Sequence, residues 1–598
     1  MSKNRPGLLF LASVLVTSLL TGAAASGGGP APGITPGRAP DPPPDKAAVA
    51  ETRTYLERLE RLGFAGVVLV ARGNAPLLAE GYGLADRESG LRWSPATLSN
   101  LGSITKQFTG AAILALEEEK KLSVTDPIAR YFDGVPADKA GITLHHLLTH
   151  SSGLGDPEDI GDYDPVPLPE FVRRVLAQPL LFAPGSGYTY ANSNFSLLGA
   201  IIEKLTGSSY EAFLRKRLFL PAGMYETGYV LPEWRNAPTA QGYLDGKRWG
   251  TVVGHAMAAD GPHWALRANG GIQSTVYDML RWARALLEGR VLSAESMKKY
   301  WAPHVSEGGD SFYSYGWAIT RTPDGKTVVT HNGGNGIFFA DMAIVPDEGF
   351  VAIVMTNVIS EVRAANSLLG QIGMRFSAGK PYPAIPEIVD LEEGALGAFA
   401  RTYRLPGDGG AFKVTKDGPA LFIEAEGQKA FNVLNSVREA EPGRLDKLNT
   451  LTERIIAGNQ TGDFDAIFKA YGGVIPKDRL KARWAEAIQE VEAERGRVLR
   501  YEVLGSARTE DRDETVVRIH CEKGATQWTY VWDLETEGRL LGRSVRGLTV
   551  RLRLFASSPK EFFTWDGGIR PPKIVRIGAE PGGPPSLRIG AATAVAAR

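Results

Sequence analysis

Apolar positions recur along the chain with periods that mark its elements. Val67 to Ala71 and Leu77 to Gly83 are apolar runs separated by Gly73, Asn74 and Ala75, the pattern of two strands joined in a hairpin. From Ser103 the apolar residues Ile104, Phe108, Ala111, Ala112 and Ala115 fall at helical spacing on almost every side, which predicts a helix buried inside a domain and ending in solvent at Glu117 to Lys121. Helices are also predicted over Leu144 to Thr149, Asn194 to Thr206 and Val276 to Leu287. The strand-like runs Thr327 to Thr330, Phe338 to Val345 and Val351 to Met355 follow. Strands at both ends with helices between them predict an α+β domain over residues 47–380, one antiparallel sheet built from both termini and covered by a helical region.

Pro381 to Pro386 marks a boundary. Beyond it, Phe399 to Tyr403, Phe412 to Val414 and Leu421 to Glu424 read as short strands between glycines. Helical spacing returns at Leu448, Leu451 and Ile455, at Phe464 to Ala470, and at Leu480, Trp484, Ile488 and Val491 before Gly496. Strands are predicted again at Val498 to Leu504, Val516 to Ile519, Thr526 to Trp532 and Val550 to Phe555. Thr526, Trp528, Tyr530 and Trp532 share one strand face, as core residues or as a binding platform. Glu486, Glu490, Glu492 and Glu494 read as a solvated helix face.

At the start, Lys3 and Arg5 precede an apolar run from Leu8 to Leu20 and the small residues Ala23 to Ser26, the three parts of a secretory signal peptide over 1–25. The run falls short of the ~20 apolar residues that span hydrocarbon. Residues 26–46, rich in Gly and Pro, read as a tether. The expected location is periplasmic or secreted, with no membrane span in the mature chain.

The charge balance, 67 Lys+Arg against 67 Asp+Glu, argues against bulk polyanion binding and so against a nucleic-acid partner. The single cysteine, Cys521, leaves no intrachain disulfide, Cys-based zinc site or iron–sulfur cluster. His146 and His150 have the i, i+4 spacing of a helical metal pair but lack the Glu of H-E-x-x-H, and read as packing or capping residues. No metal or organic cofactor is expected.

Ser103-Ile104-Thr105-Lys106 is the candidate for chemistry: a lysine three residues after a serine lies on the same helix face, where it can accept the hydroxyl proton. S-x-x-K also occurs at Ser296/Lys299, Ser377/Lys380 and Ser557/Lys560, so spacing alone does not select Ser103. Context does. Only Ser103 opens a long apolar helix and is followed by the single Y-x-N of the chain, Tyr190-Ala191-Asn192, and the single H-x-G, His331-Asn332-Gly333, with Gly334 next. The rival G-x-S-x-G elbow is not found, and position 101 is Leu.

With these motifs, residues 50–375 resemble the penicillin-recognising serine hydrolases: class C β-lactamases, D-alanyl-D-alanine carboxypeptidases and related esterases. The stretches Ile142 to Leu154 and Gly270 to Thr275 carry the resemblance further. It implies that Ser103 attacks a carbonyl to form an acyl-enzyme, that Lys106 and Tyr190 share the proton work, and that the amides of Ser103 and Gly334 form the oxyanion hole. Asn192 would hold a substrate amide or the lysine head, and His331, Asn332, Gly333 and Gly334 would line the substrate. His331 stands where many relatives carry the lysine of K-T-G; with a reference pKa near 6.5 it is expected to be partly charged, which weakens the case for β-lactam carboxylates.

Ala398 to Glu426 resembles the start of a lipocalin-like β-barrel, and Phe562, Phe563, Trp565 and Asp566 its closing strand region. That implies a β domain over 387–445 plus 546–590, interrupted by an α+β module over 446–545. The expected function is an exported serine hydrolase acting on a D-amino-acyl peptide, a β-lactam or a small ester. The alternative is a catalytically silent penicillin-binding or sensor protein. Small-molecule or peptide substrates are the expected partners; in the silent-binder alternative the C-terminal modules contact cell-wall or protein partners.

Overall fold

The computed structural model describes residues 45–597, apart from 74, 158, 235–236, 245, 256, 323, 360–364, 408, 436–439, 474, 510–511, 545–550, 566–571 and 580–583. The signal-peptide and tether readings up to residue 44, and the part assigned to Asp566, lie outside the described residues. The chain forms two compact units that divide after Tyr382.

The first unit is built on an eight-stranded antiparallel sheet. Its strands run in space Val305–Gly308, Ser311–Tyr313, Ala318–Arg321, Thr327–Gly334, Phe339–Val345, Phe350–Thr356, Gly66–Arg72 and Ala75–Tyr82. Val67 pairs with Met355 and Val70 with Ala352, so the first strand after the opening helix docks beside the last strand of the unit. Val67 to Ala71 and Val351 to Met355 are buried at every position, not at alternate ones. Mid-sheet strands lose the polar alternation when both faces are covered. The helices Asp45–Arg61 and Ala365–Ala378 pack on each other and on the sheet, with Arg375 donating to Glu51 at 2.7 Å. Val276–Leu287 packs on the two mid-sheet strands.

The helix Thr105–Glu118 is buried from Thr105 through Leu116 and lies against Asn192–Thr206 and Ala294–Tyr300. Burying a side chain such as Phe108, Ile113 or Leu114 contributes roughly 1.5–3 kcal/mol. The helix starts two residues later than its apolar pattern predicts: Gly102–Ile104 form a 3₁₀ turn, and Ser103 sits on that turn. Likewise Leu144–Leu148 is a single short helix, so His150 lies beyond its end and the helical i, i+4 relation to His146 does not exist.

In the second unit, Thr402–Arg404, Ala411–Asp417, Ala420–Glu426, Arg551–Ala556, Glu561–Thr564, Lys573–Ala579, Pro585–Ile589 and Ala592–Ala596 close into an eight-stranded barrel. Phe412, Ile423, Phe562, Val575 and Leu587 fill its core, as the narrow interior of eight strands requires. Two sequence expectations change here. Phe399 ends a 3₁₀ turn, leaving only Thr402–Arg404 as strand. The strand holding Phe562 and Phe563 is fifth around the barrel, and closure is made by Ala592–Ala596 pairing with Tyr403 and Arg404. Between the third and fourth barrel strands come the helices Gln428–Asn435, Arg444–Thr461, Asp465–Ala470 and Lys477–Arg495 and a four-stranded sheet spanning Val498 to Ser544. Trp528, Tyr530 and Trp532 are buried between this sheet and its helices, so the aromatic stripe is core. No helix among the described residues is long and apolar enough to cross a membrane.

Candidate active site

Gly102 holds a backbone φ of +52°, in the left-handed region that favours glycine. Its amide donates to Asn100 Oδ1 at 2.9 Å and the Leu101 amide to Ile272 O at 2.8 Å, which fixes the turn bearing Ser103. One residue into the helix, Lys106 is fully buried. Its Nζ donates to Ser103 Oγ at 3.0 Å, Asn192 Oδ1 at 2.8 Å and Asn269 O at 2.9 Å. Three acceptors match the three protons of an ammonium. When the amine is neutral and keeps its two carbonyl-type partners, its lone pair is left facing Ser103. Burial pushes the Lys106 pKa down to about 7, against the pull of Asp156 and Asp162.

The Asn269 carbonyl is held by a strained turn. Ala268 has a φ of +68°, Thr109 Oγ1 donates to Ala268 O at 2.6 Å, and Tyr229 Oη donates to Gly270 O at 2.8 Å. Asn192 opens its helix, and Asp156 accepts from the amides of Asn192 at 3.0 Å and Ser193 at 2.7 Å. A carboxylate at a helix N-terminus satisfies donors the helix leaves open.

The Tyr190 ring centroid lies 4.7 Å from Lys106 Nζ and 4.3 Å from the ring of His150. Burial pushes its phenol pKa well up, opposed by the nearby Ser103 hydroxyl. The proton-accepting capacity of the pair therefore rests on the amine, and the phenol stays protonated.

His331 lies on Thr327–Gly334, buried, with Nε2 and Tyr313 Oη 3.0 Å apart. The partial charge expected from its reference pKa is removed: burial, then the neighbouring Lys106, lower it to about 3, so the imidazole is neutral. The neighbouring strand Ala318–Arg321 pairs only as far as Thr330, so His331 to Gly334 have no strand partner on that side. A Cβ on Gly333 would stand 2.4 Å from the Ser103 amide nitrogen, and one on Gly102 would stand 2.4 Å from that of Gly334. Only glycine permits this approach, which brings the two amides side by side. Asn332 alternates to the opposite face of the strand and is exposed; among the described residues its side chain makes no hydrogen bond to Ser103, Lys106 or Tyr190.

Motif reasoning thus selects side chains that meet, and misses those that hold them. His150, read from the sequence as a packing or capping residue without its partners, sits at φ +56°, accepts from the Ala191 amide at 3.2 Å and contacts Asn194 Nδ2 at 3.2 Å. Asp156, Asp162 and Tyr313 come from segments with no motif, and Asn269 acts through its backbone, which no side-chain pattern reveals.

A family model described as Beta-lactamase matches residues 52–369. The chain is 28% identical over 404 residues to "Penicillin-binding protein 4*" of Bacillus subtilis (strain 168), which covers 63% of this chain and 87% of the relative. It is 36% identical over 196 residues to "Esterase EstB" of Burkholderia gladioli, covering 29% of this chain and about half, 49%, of that protein. Among solved structures, a penicillin binding protein from Bacillus halodurans is similar at 27% identity and a TM-score of 0.48, over 54% of this chain and 99% of that one. With the family model spanning more than half of the chain, this protein belongs to the beta-lactamase family and is a serine hydrolase of that type.

Proposed function

We propose that the protein is an exported hydrolase that cleaves an ester or amide through an acyl-enzyme at Ser103. The observation that carries this reading is the 3.0 Å contact from a buried Lys106, with its pKa near 7, to Ser103 Oγ. Neutral Lys106 takes the hydroxyl proton as Oγ bonds to the carbonyl carbon; such a positioned base contributes typically ~10²- to 10⁴-fold. The carbonyl electrons move onto oxygen, where the amides of Ser103 and Gly334 donate, each worth ~10²- to 10³-fold. As the tetrahedral centre collapses, the bond to the leaving group breaks. That group receives a proton through the Tyr190 hydroxyl, which is replenished from Lys106. Water then attacks the ester at Ser103 by the same route in reverse, releasing the acid and restoring the serine.

A neutral His331 offers no fixed charge to a β-lactam carboxylate, which favours esters and amides, D-amino-acyl peptides among them, over β-lactams. The silent-binder alternative has no observation in its favour. Wild-type protein should release p-nitrophenol from p-nitrophenyl acetate and Ser103→Ala should not; equal rates would sink the proposal. Export is supported by the residues 1–25 pattern, and an N-terminal mass of secreted protein beginning near Ser26 tests it.

A further inference from the structure

Tyr313, fully buried, touches three separate segments of the site. It ends the strand Ser311–Tyr313 opposite Ala318, and Ala318 stands opposite Thr330. Past Thr330 the strand Thr327–Gly334 has no strand partner on that side, and there the Tyr313 side chain takes over, its Oη 3.0 Å from His331 Nε2. The Tyr313 ring also lies 4.7 Å from the ring of His150 and, edge-on, 6.1 Å from that of Tyr190. Its far side is braced. Tyr188, two residues before Tyr190, has its ring 6.0 Å from Tyr313 and donates from Oη to Glu307 at 2.8 Å. Ser311, two residues before Tyr313, donates to the same carboxylate at 2.7 Å.

The direction of the bond between Tyr313 and His331 follows from the other ring nitrogen. His331 Nδ1 lies 2.5 Å from Asn332 O, and a carbonyl only accepts, so Nδ1 carries a proton. The ring is neutral and has one N–H, which leaves a lone pair on Nε2. The Tyr313 hydroxyl is therefore the donor. Burial raises the Tyr313 pKa, which keeps that proton on the phenol. Both nitrogens of His331 are thus committed within the protein, and neither is left for a substrate.

We infer that Tyr313 is a positioning residue of the acyl transfer: by donating to His331 it withholds that imidazole from the substrate and ties the free edge of the oxyanion strand back to the sheet. This rests on the acyl-enzyme reading and extends it. Gly333 and Gly334 follow His331 closely in the strand, and Gly333 lies against the Ser103 amide, so a shift at His331 displaces an oxyanion donor. Binding of a neutral ester, to which His331 offers no group, is left almost unchanged.

Tyr313→Phe keeps the ring and removes only the donor. On p-nitrophenyl acetate it should lower kcat by about 10- to 100-fold with KM within about threefold of wild type, as displaced catalytic groups do. Made on top of His331→Ala, the same change should cost nothing further, because the hydroxyl has lost the group through which it acts. Wild-type kcat in Tyr313→Phe, an effect confined to KM, or equal losses in the two backgrounds would overturn the inference, the last by assigning Tyr313 to packing. Fluorophosphonate labelling of wild type separates this from the reading beneath it: no label on Ser103 removes the acyl-enzyme, whereas a labelled wild type with any of those outcomes rejects the role of Tyr313 alone. Should Tyr313→Phe not fold, long-range proton–nitrogen NMR of wild type carrying isotope-labelled histidine decides, with the His331 signal identified by its absence from His331→Ala. A proton on Nδ1 is predicted; a proton on Nε2 rejects the inference.

Discussion

The imidazole of His150 packs at a tilt 4.3 Å from the Tyr190 ring while its Nδ1 accepts the amide of Ala191, so one buried residue supports the phenol and fixes the backbone that leads to Asn192. Burial holds the ring neutral, so it does not compete for the proton. His150→Ala is expected to lower kcat on p-nitrophenyl acetate by about 10- to 100-fold with a smaller change in KM, as displaced catalytic groups do. His150→Asn, which tolerates the positive φ and restores a short acceptor, should recover part of that loss. Steady-state kinetics of the three proteins decides it. Equal losses in both variants would assign His150 to the ring contact alone.

The pH profile should have one limb near neutrality. Burial lowers the Lys106 pKa to about 7, so the amine is charged and inactive below that value and free to accept a proton above it. kcat/KM for acylation is therefore expected to rise with pH through about 7. Asp162 pulls the Lys106 pKa upward, so Asp162→Asn should move the limb to lower pH. A limb unmoved by that change would remove Asp162 from the electrostatics of Lys106.

Gly333 is the tightest steric constraint at the site, since a Cβ there would stand 2.0 Å from Leu101 O. Gly333→Ala must push the strand away from the Ser103 turn. A fall in kcat of ~10²- to 10³-fold, the cost of one misplaced oxyanion donor, is predicted. Gly373→Ala, which meets nothing within 4 Å on its helix, serves as the comparison and should leave kinetics unchanged. Similar activity in both variants would argue against a hole formed by this strand and the Ser103 turn.

In the second unit, Asp513 is fully buried between two guanidinium groups, Arg444 Nε at 2.7 Å and Arg508 Nε at 2.8 Å. Removing the anion takes away the buried partner of both cations and leaves them sharing the exposed Glu441. Asp513→Ala is expected to cost about 3–5 kcal/mol in denaturant unfolding followed through the fluorescence of the buried Trp528 and Trp532. A loss below ~1 kcal/mol would mean that water replaces the carboxylate.

Legibility in the sequence tracked periodicity. Val276–Leu287 is readable end to end because its apolar stripe is uninterrupted, and the strand Phe350–Thr356 because it is apolar throughout. The three short strands between Val305 and Arg321 are not, since Gly308, Gly309 and mixed polar residues break any pattern. The helix Asp45–Arg61 is hidden by the Pro- and Gly-rich stretch before it. At the site, Ser103, Lys106, Tyr190 and Asn192 are legible because side-chain chemistry demands fixed spacings. His150 is legible as a packing residue but not as a neighbour of Tyr190, while Asp162 and the Asn269 carbonyl reach the site through tertiary packing and backbone geometry, which leave no local signature.

Intact mass and peptide mapping after treatment with a fluorophosphonate test the central claim most directly. The account predicts one phosphonyl group per chain, located on Ser103 and absent from Ser103→Ala; equal labelling of Ser103→Ala, or a tag on another residue, would contradict it.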